Sequence, residues 1–414
     1  MLDTDVDAVR DPQDRLDEMR REHTAKCAEF LRLNGPSPIT AIAAGVGLSK
    51  PTVKERLLDL MQVGIVRDLD AEGPRGAGRP ATWFAFEPTV AYVIGLDLGQ
   101  HVERLTVVDL AGNIRHWQER AVDSHLSADA RLEAAVDWVH DAREAHTGGL
   151  GECAAIGVSL PGAITNAGSL REPAAFKEWV NIPVEPRLIE AFGVDVRVMH
   201  DLDAALVAEH RMGAARGIAT FVLPILWHEI SAGIQVNGTI FSGAQRAEGE
   251  TYHLRRLRET SQRQGWEGLP QVRQMIEAAE HEATAAQSLE DFAERAAEQI
   301  AMLILVIDPE LVLLHGPLIE YESLVASVIE RIPAQTGLAP IPVVTSAFGQ
   351  RSTLIGVSLA VLDDASRRIV GPGLRPLELT WDAQFIPIHA TREALHRPTG
   401  SGSGAQTPRT VPSN

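Results

Sequence analysis

Residues 37–61 read SPITAIAAGVGLSKPTVKERLLDLM, and this stretch decides how the N-terminal part of the chain folds. Apolar residues recur at helical spacing on both sides of Gly47, which predicts two short helices joined by a turn. Ser37 is placed to cap the first helix with Pro38 at its first position, and Ser49 is placed to cap the second. The predicted apolar faces of the two helices consist of Ile39, Ile42, Ala43, Val46, Val53, Leu57, Leu60 and Met61.

The second helix presents a polar face away from that core. Its predicted members are Lys50, Thr52, Lys54 and Arg56. Short and basic side chains near the N-terminus of a helix can reach base edges and phosphates in the major groove of DNA. Because another helical pattern precedes this pair and stops at Asn34, we predict a three-helix unit whose last helix is a recognition helix.

A basic loop between two short strands follows the helices. Residues 63–67 and 81–86 have strand character and bracket the sequence RGAGRP at 75–80. Glycines allow the backbone to approach DNA closely, and the side chains of Arg75 and Arg79 suit a narrow, negative minor groove. The order of helices, basic face and loop predicts a winged helix-turn-helix; the alternative is a small helical subdomain with a solvated basic loop.

Charge is distributed unevenly along the chain. The formal net charge of −18 argues against a nucleic-acid partner if it is spread evenly. Between Arg20 and Phe86, however, ten lysines and arginines face seven acidic residues, a balance of +3. A balance this small predicts salt-sensitive DNA binding that depends on a second copy of the module.

Composition excludes several classes of protein. The first twenty residues are acidic, unlike a secretory signal, and the longest apolar run, 301–307, is too short to span a bilayer. The two cysteines, Cys27 and Cys153, fall in different predicted domains, which argues against a disulfide framework and a structural zinc site. These features predict a cytoplasmic protein without a membrane partner.

After Pro88 strand and helix patterns alternate in two successive sets, which predicts an α/β protein with two lobes around a cleft. The predicted strands are 92–98, 105–110, 154–160 and 196–200 in the first set, and 221–226, 232–236 and 311–315 in the second. The predicted domains are an acidic, disordered N-terminus at 1–20, the winged helix-turn-helix at 21–88, the two-lobed domain at 89–370, and a C-terminal extension at 371–414 that is disordered from about 398.

Seven short motifs occur in a fixed order along the chain. They are LSKPTV at 48–53, GRP at 78–80, IGLDLG at 94–99, GVSLPG at 157–162, HDLDAA at 200–205, EGETYH at 248–253 and LLHGP at 313–317. In order and spacing they resemble the ROK family of repressors and sugar kinases, from residue 21 to about 365. The resemblance implies a winged helix-turn-helix followed by a two-lobed, actin-like (ribonuclease H-like) sugar-kinase domain.

Two departures from the family pattern concern the phosphate loops of its kinases. Where the resemblance implies Gly-Thr-Gly-Ile-Gly, residues 227–231 are WHEIS, and Gln100 and His101 replace Gly-Thr in the first loop. Phosphates are held by bare backbone N–H groups, so lost glycines and a carboxylate at Glu229 oppose nucleotide binding. Asp201 matches the family's catalytic base and would remain as a remnant. We therefore predict no enzyme activity and no cofactor.

The resemblance also implies a sugar site, and it indicates where the family's zinc site would lie. Candidate ligand-binding residues are Gly162, His200, Asp201, Glu250 and His253. The alternative is that the polar members are remnants in a local network, because His200 replaces the family's Asn and Tyr252 a glycine. His253 matches a zinc-binding histidine, but residues 254–268 contain no cysteine to complete the site, so we predict no metal. That arginine-rich loop is predicted to be solvated or partner-facing.

These observations predict a DNA-binding transcription regulator, most simply a repressor, that acts on a two-fold operator as a homodimer or dimer of dimers. The kinase-like domain would serve as an oligomerisation scaffold and sensor of a sugar or sugar phosphate. One alternative is an active ATP-dependent sugar kinase. Another is a ligand-independent regulator controlled by a protein partner through the acidic lobes or the extension at 374–395.

Overall fold

The computed structural model describes residues 12–69, 82–123, 126–165, 168–171, 179–180, 182–227, 230–244, 246–251, 269–279 and 281–381. These form a mixed α/β fold. The helices are α1 Pro12–Asn34, α2 Ile39–Val46, α3 Lys50–Gln62, α4 Ala128–His146, α5 Val184–Phe192, α6 Asp201–Arg211, α7 Leu269–Ala278, α8 Ala283–Ile307, α9 Glu322–Thr336 and α10 Ser352–Ile369.

The strands fall into four sheets. They are β1 Ser37–Pro38, β2 Val66–Asp68, β3 Trp83–Phe86, β4 Ala91–Leu98, β5 Val102–Asp109, β6 Ile114–Ala121, β7 Glu152–Leu160, β8 Ala163–Ile164, β9 Leu170–Arg171, β10 Asp195–His200, β11 Phe221–Pro224, β12 Ala232–Val236, β13 Thr239–Ile240, β14 Leu311–Leu314 and β15 Val343–Thr345.

The N-terminal module consists of α1–α3 and a three-stranded antiparallel sheet in the order β1-β3-β2. The two helices predicted on either side of Gly47 are confirmed as α2 and α3. Gly47 ends α2 in the left-handed conformation (φ 69°), which a residue without Cβ adopts readily. The apolar faces of the helices meet in one core that includes Leu31, Ile42, Val53 and Leu57.

Two predictions about where the helices of this module begin are wrong. Ser37 does not cap α2: it lies in β1, pairs with Phe84, and its hydroxyl donates to the carbonyl of Gly35. Pro38 takes the N-cap position instead. Residues 12–20, predicted to be disordered with the rest of the acidic N-terminus, belong to α1, because that helix continues as one piece into the segment that packs on α3.

The first large sheet has the strand order β10-β7-β4-β5-β6, in which β4, β7 and β10 are parallel. It contains all four strands predicted for the first set: β4, β7 and β10 begin one or two residues earlier than predicted, and β5 begins three residues earlier and ends at Asp109. Strand β6 was not predicted, since at this edge of the sheet most of its side chains are polar and only Ile114 is buried. The mixed pattern follows from β6 having one neighbouring strand, β5.

The second large sheet has the order β13-β12-β11-β14-β15 and packs against α8 and α9. Helix α10 packs on β4, β7 and α6, and α6 in turn contacts β12 of the second large sheet. At Gly356 of α10, a Cβ would come within 1.6 Å of the carbonyl oxygen of Ala204 in α6. Glycine at this position therefore allows the two helices to approach closely.

Residues 370–381 connect the N-terminal module with the first large sheet. Val370 is buried in the core of the module, whereas Leu377 and Leu379 are buried against the sheet. The backbone N–H of Arg375 donates to Glu29 of α1 (3.1 Å), and Arg32 donates to the carbonyl of Arg375 (3.1 Å). This part of the predicted C-terminal extension therefore has a structural role, while residues 382–414 lie outside the described residues.

Among the described helices, none is long and apolar enough to cross a membrane. The domain boundaries given above remain predictions.

Candidate nucleic-acid interface and ligand cleft

The N-terminal half of α3 has an exposed face, and its first turn is fixed by an N-cap. The hydroxyl of Ser49 accepts a hydrogen bond from the backbone N–H of Thr52 (3.3 Å), which confirms the predicted cap. The Thr52 hydroxyl lies 2.8 Å from the same oxygen and is half-buried. The side chains of Lys50 and Lys54 are exposed, as their spacing predicts.

Arg56 does not point away from the core, contrary to the prediction. It is 8% exposed, and its guanidinium lies 3.0 Å from Asp59 and 3.3 Å from Glu55. Positions 53, 56, 57 and 60 fall on one side of a helix, so Arg56 lies beside the core residues Val53 and Leu60. The helical spacing itself contained this signal. Arg56 therefore pairs with acidic residues of its own helix and is not placed to contact DNA.

A groove lies beside the two exposed lysines, where the N-terminal ends of α2 and α3 meet the small sheet. Its lining residues are Pro38, Ile39, Thr40, Lys50, Pro51, Lys54 and Thr82. Sequence reasoning missed Thr40 and Thr82, because the one precedes the recognition helix by ten residues and the other follows the loop. Arg75 and Arg79 of that loop lie outside the described residues.

The carboxyl ends of β4, β7 and β10 lie at one edge of the first large sheet. Ligands in open α/β sheets bind at such an edge. Loops begin there at Gly99 and Pro161, and helix α6 begins at Asp201, so the topology brings together the motifs at 94–99, 157–162 and 200–205. Gly162 lies in the second loop, half-buried with φ 117°, and does not line the cavity described next.

A polar cavity of about 460 Å³ opens beside the end of β10. Its charged and titratable lining residues are Glu185, Arg197, His200, Asp203, Arg246, Glu248 and Glu250. His200 and Glu250 were predicted; Asp203, Arg246 and Glu248 were missed, although Asp203 and Glu248 lie within the quoted motifs. Asp201 lies next to the cavity-lining His200: the Nε2 atom of His200 is 3.1 Å from the carboxylate of Asp201. His253 lies outside the described residues.

Burial and charge shift the pKa values of the two groups at the end of β10. Burial raises the pKa of Asp201 to about 6, and the neighbouring His200 opposes this rise. For His200, burial favours the neutral form, but the carboxylates of Asp201 and Asp203 with those of Glu248 and Glu250 raise its pKa above the usual value. A carboxyl group of this kind is suited to exchange a proton or to accept a hydrogen bond near neutral pH.

The carboxylate near the end of β4 is engaged by other protein side chains. Asp97, at the end of β4, is 3% exposed and forms an ion pair with Arg104 (2.9 Å). Its carboxylate also accepts hydrogen bonds from Ser159 (2.9 Å) and Thr353 (3.1 Å). Both oxygens of Asp97 are therefore engaged within the protein.

His315, directly after β14 of the second sheet, is a second buried polar side chain. It is 4% exposed, and its Nδ1 has no hydrogen-bond partner among the described residues. Burial and the nearby charge of Arg104 lower its pKa to about 4, so the imidazole is neutral at pH 7. His315 lies in the motif where the family resemblance places a Gly-Gly turn.

The loop after β4, which the resemblance aligns with a phosphate loop of the family's kinases, is fixed by a buried arginine. Arg131 of α4 is 2% exposed, donates to the carbonyls of Gly99 and Gln100, and pairs with the buried Glu103 (2.9 Å). A second arginine, Arg120, also forms an ion pair with Glu103 (2.7 Å). The loop therefore uses two of its carbonyl groups within the protein.

In the part of the chain that the structure describes, no group of three or more His, Cys, Asp and Glu residues could hold a metal ion. Residues 252–268, which contain His253 and the arginine-rich loop, fall outside that part.

Comparison with curated proteins finds transcription regulators. The DNA-binding transcriptional dual regulator NagC of Escherichia coli (strain K12) is 25% identical over 242 residues, 58% of this chain and 58% of NagC. The xylose repressor of Bacillus subtilis (strain 168) is 23% identical over 225 residues, 53% of this chain and 57% of the repressor. The chain therefore spans less than two thirds of the length of these relatives.

Solved structures share the fold. A ROK family transcriptional regulator, a homolog of the E. coli MLC protein, has a TM-score of 0.59 at 17% identity over 86% of this chain and 98% of its own. A ROK hexokinase from Thermus thermophilus has a TM-score of 0.54 at 21% identity over 66% and 99%. The family model described as ROK family matches residues 93–265 and 257–364. Since these ranges cover more than half of the 414 residues, the chain belongs to the ROK family.

Proposed function

We propose that the chain is a sequence-specific DNA-binding transcription regulator, most simply a repressor, whose kinase-like portion does not transfer phosphate. In this proposal the N-terminal module is a winged helix-turn-helix, and the two large sheets belong to actin-like lobes. The observation that carries it is the exposed N-terminal half of α3, where Lys50 and Lys54 flank an open groove while the opposite face of the helix is buried. The names of the similar curated regulators support the same function.

Each contact type has a place on the module. Lys50, Thr52 and Lys54 would meet the major groove, and Arg75 and Arg79 would meet the minor groove from the loop. Arg56 is left out because it is buried and paired. A single module offers few cations, so we propose that a homodimer or dimer of dimers reads a two-fold operator.

DNA binding is tested by selecting duplexes from a random library with the full-length protein. We expect recovered sequences to contain two inverted half-sites whose centres lie one helical turn, about 10 base pairs, or a multiple apart. The control is the same selection at high salt in the presence of non-specific competitor DNA, which removes duplexes that bind non-specifically. Recovery of no shared sequence would contradict sequence-specific recognition.

The proposed lack of kinase activity is supported by the buried polar groups near the carboxyl ends of β4 and β14. A bound nucleotide needs backbone N–H groups and cations directed at its phosphates. Here the carboxylate of Asp97 is tied to Arg104, and the buried His315 is neutral and supplies no cation. Displacing such buried and paired groups costs several kcal/mol, which opposes nucleotide binding.

A sugar kinase is the second candidate function, and one observation favours it. The pKa of Asp201 is raised to about 6, close to the value that suits a general base. The base alone, without a phosphoryl donor, performs no transfer. We therefore propose that Asp201, His200 and Glu250 bind a sugar or sugar-phosphate effector, with Gly162 and His253 as further candidates.

An ADP-release assay and calorimetry on one panel of sugars, amino sugars and sugar phosphates separate these roles. For a sensor we expect heat of binding with at least one compound and no ADP release above the background of a no-sugar control. Asp201→Asn should weaken that binding roughly tenfold, by the loss of a hydrogen bond to a charged group. ADP release that is lost in Asp201→Asn would establish the kinase instead, and no heat with any compound would remove the sensor role.

Effector binding would reach the DNA through the connection at 370–381. This segment contacts α1 at Glu29 and Arg32 and is buried against the first large sheet at Leu377 and Leu379. Movement of the lobes around a ligand would therefore change the position of the module, and with it the separation of two reading heads.

A further inference from the structure

The groove between α2, α3 and the small sheet has walls made mostly of carbon. Pro38, Ile39 and Pro51 contribute only hydrocarbon side chains, and Thr40 and Thr82 contribute methyl groups. Among the described residues that line the groove, none is acidic, and the two charged side chains are Lys50 and Lys54. An apolar floor between two cations is therefore the chemistry that an occupant must match.

The major groove of DNA offers this combination. It is bordered by anionic phosphates, and its one apolar projection on a base edge is the C5 methyl group of thymine. We propose that this groove receives the C5 methyl group of a thymine in each half of the operator, with Lys50 and Lys54 bound to neighbouring phosphates or base acceptors. The proposal rests on the proposed DNA-binding function and adds to it the identity of a base.

The walls of the groove are fixed before DNA arrives. Pro38 is paired with Trp83 in the small sheet, and Pro51 lies in the first turn of α3 behind the Ser49 cap. Proline rings have a fixed backbone angle and no flexible side chain, so that little order is lost when a methyl group enters. Ile39 also packs against the core of the module, which holds the floor in place. A preformed site of this kind discriminates thymine from uracil by burial of the methyl group.

Replacement of thymine by deoxyuridine in a selected duplex tests the proposal, because it removes the methyl group and leaves base pairing unchanged. In the strongest duplex from the selection, each thymine is replaced singly, and the Kd is measured with the full-length protein at constant salt. We expect one thymine per half-site whose replacement weakens binding about fourfold, and about fifteenfold when both are replaced. A duplex in which no replacement changes the Kd overturns the proposal.

Variants locate the methyl group on the protein. Pro51→Ala keeps α3 and removes ring carbons from the wall, and Thr40→Ser removes one methyl group. Each should reduce the preference for thymine over deoxyuridine to less than twofold, whereas Thr239→Ser, on the exposed strand β13, should leave it unchanged. A preference that persists in both groove variants places the methyl group elsewhere and overturns the proposal. If selection recovers no duplex, the DNA-binding function itself fails, which is a distinguishable result.

Discussion

Replacement of Lys50 and Lys54 together by alanine is expected to weaken operator binding by a factor of about 1,000 or more. Both ammonium groups are exposed at the start of α3, and a two-fold complex uses each of them twice. Each cation in contact with a phosphate or base contributes roughly 1–3 kcal/mol, so four lost contacts amount to at least about 4 kcal/mol. Fluorescence anisotropy with a labelled duplex at several salt concentrations measures the change.

The salt dependence identifies the mechanism of that loss. Each phosphate contact contributes about −0.9 to the slope of log K against log salt, so the variant's slope should be smaller in magnitude by between about three and four. Lys26→Ala is the matched control, since Lys26 is an exposed lysine of α1 paired with Glu22 (2.6 Å) outside the proposed interface. Arg56→Met should lower thermal stability while the slope of its folded fraction stays unchanged. A wild-type slope in the double variant would contradict the proposed interface.

Local sequence patterns predicted the helices of the N-terminal module well, and the predictions that failed did so at single residues. The helices α2 and α3 and the cap at Ser49 follow from apolar spacing and a hydroxyl at the right position. Ser37 has the same hydroxyl but lies in β1, because pairing with Phe84 fixes its backbone and no sequence signal at 37 announces a partner at 84. Arg56 shows the reverse case, since its burial was visible in the helical spacing but a charged residue was assumed to be exposed.

The candidate cleft was predictable only in part. Of the residues that the motifs predicted, His200 and Glu250 line the cavity and Asp201 lies next to His200, while strand order brings the three motifs of the first sheet to one edge. The network around Asp97 was not predictable, since Arg104 comes from the adjacent strand and Thr353 from a helix 256 residues away. Periodicity describes which face of an element is buried. It does not say which buried polar groups will meet.

Replacement of Arg104 by methionine is expected to lower the free energy of unfolding at pH 7 by about 3 kcal/mol or more. Methionine has a similar length, but Asp97 would keep only the hydroxyl donors of Ser159 and Thr353 for a buried charge. Removal of one partner from a buried ion pair costs roughly 3–5 kcal/mol. The thermal midpoint, followed by calorimetry, should fall by on the order of 10 °C.

The matched control is Arg115→Met. Arg115 also pairs with a buried carboxylate, Asp109, but it is 40% exposed, and backbone N–H groups of Ala111 and Asn113 remain as donors. Its loss should therefore cost less than about 1 kcal/mol. Equal losses in the two variants would mean that burial of the cation does not matter, contrary to the argument for Arg104.

The pH dependence of the Arg104→Met variant distinguishes a stranded charge from poor packing. Burial raises the pKa of Asp97, and Arg104 is the largest influence that lowers it, so removal of Arg104 raises the pKa further. A carboxyl whose pKa is higher in the folded than in the unfolded state binds its proton more tightly when folded, and that stabilisation is lost as the pH rises through the folded pKa. The deficit relative to the wild type should therefore grow as the pH rises from the folded pKa of Asp97 in the wild type toward its higher folded pKa in the variant. Asp97→Asn in the same background should remove this growth, because the asparagine cannot ionise; a deficit independent of pH would attribute the loss to packing.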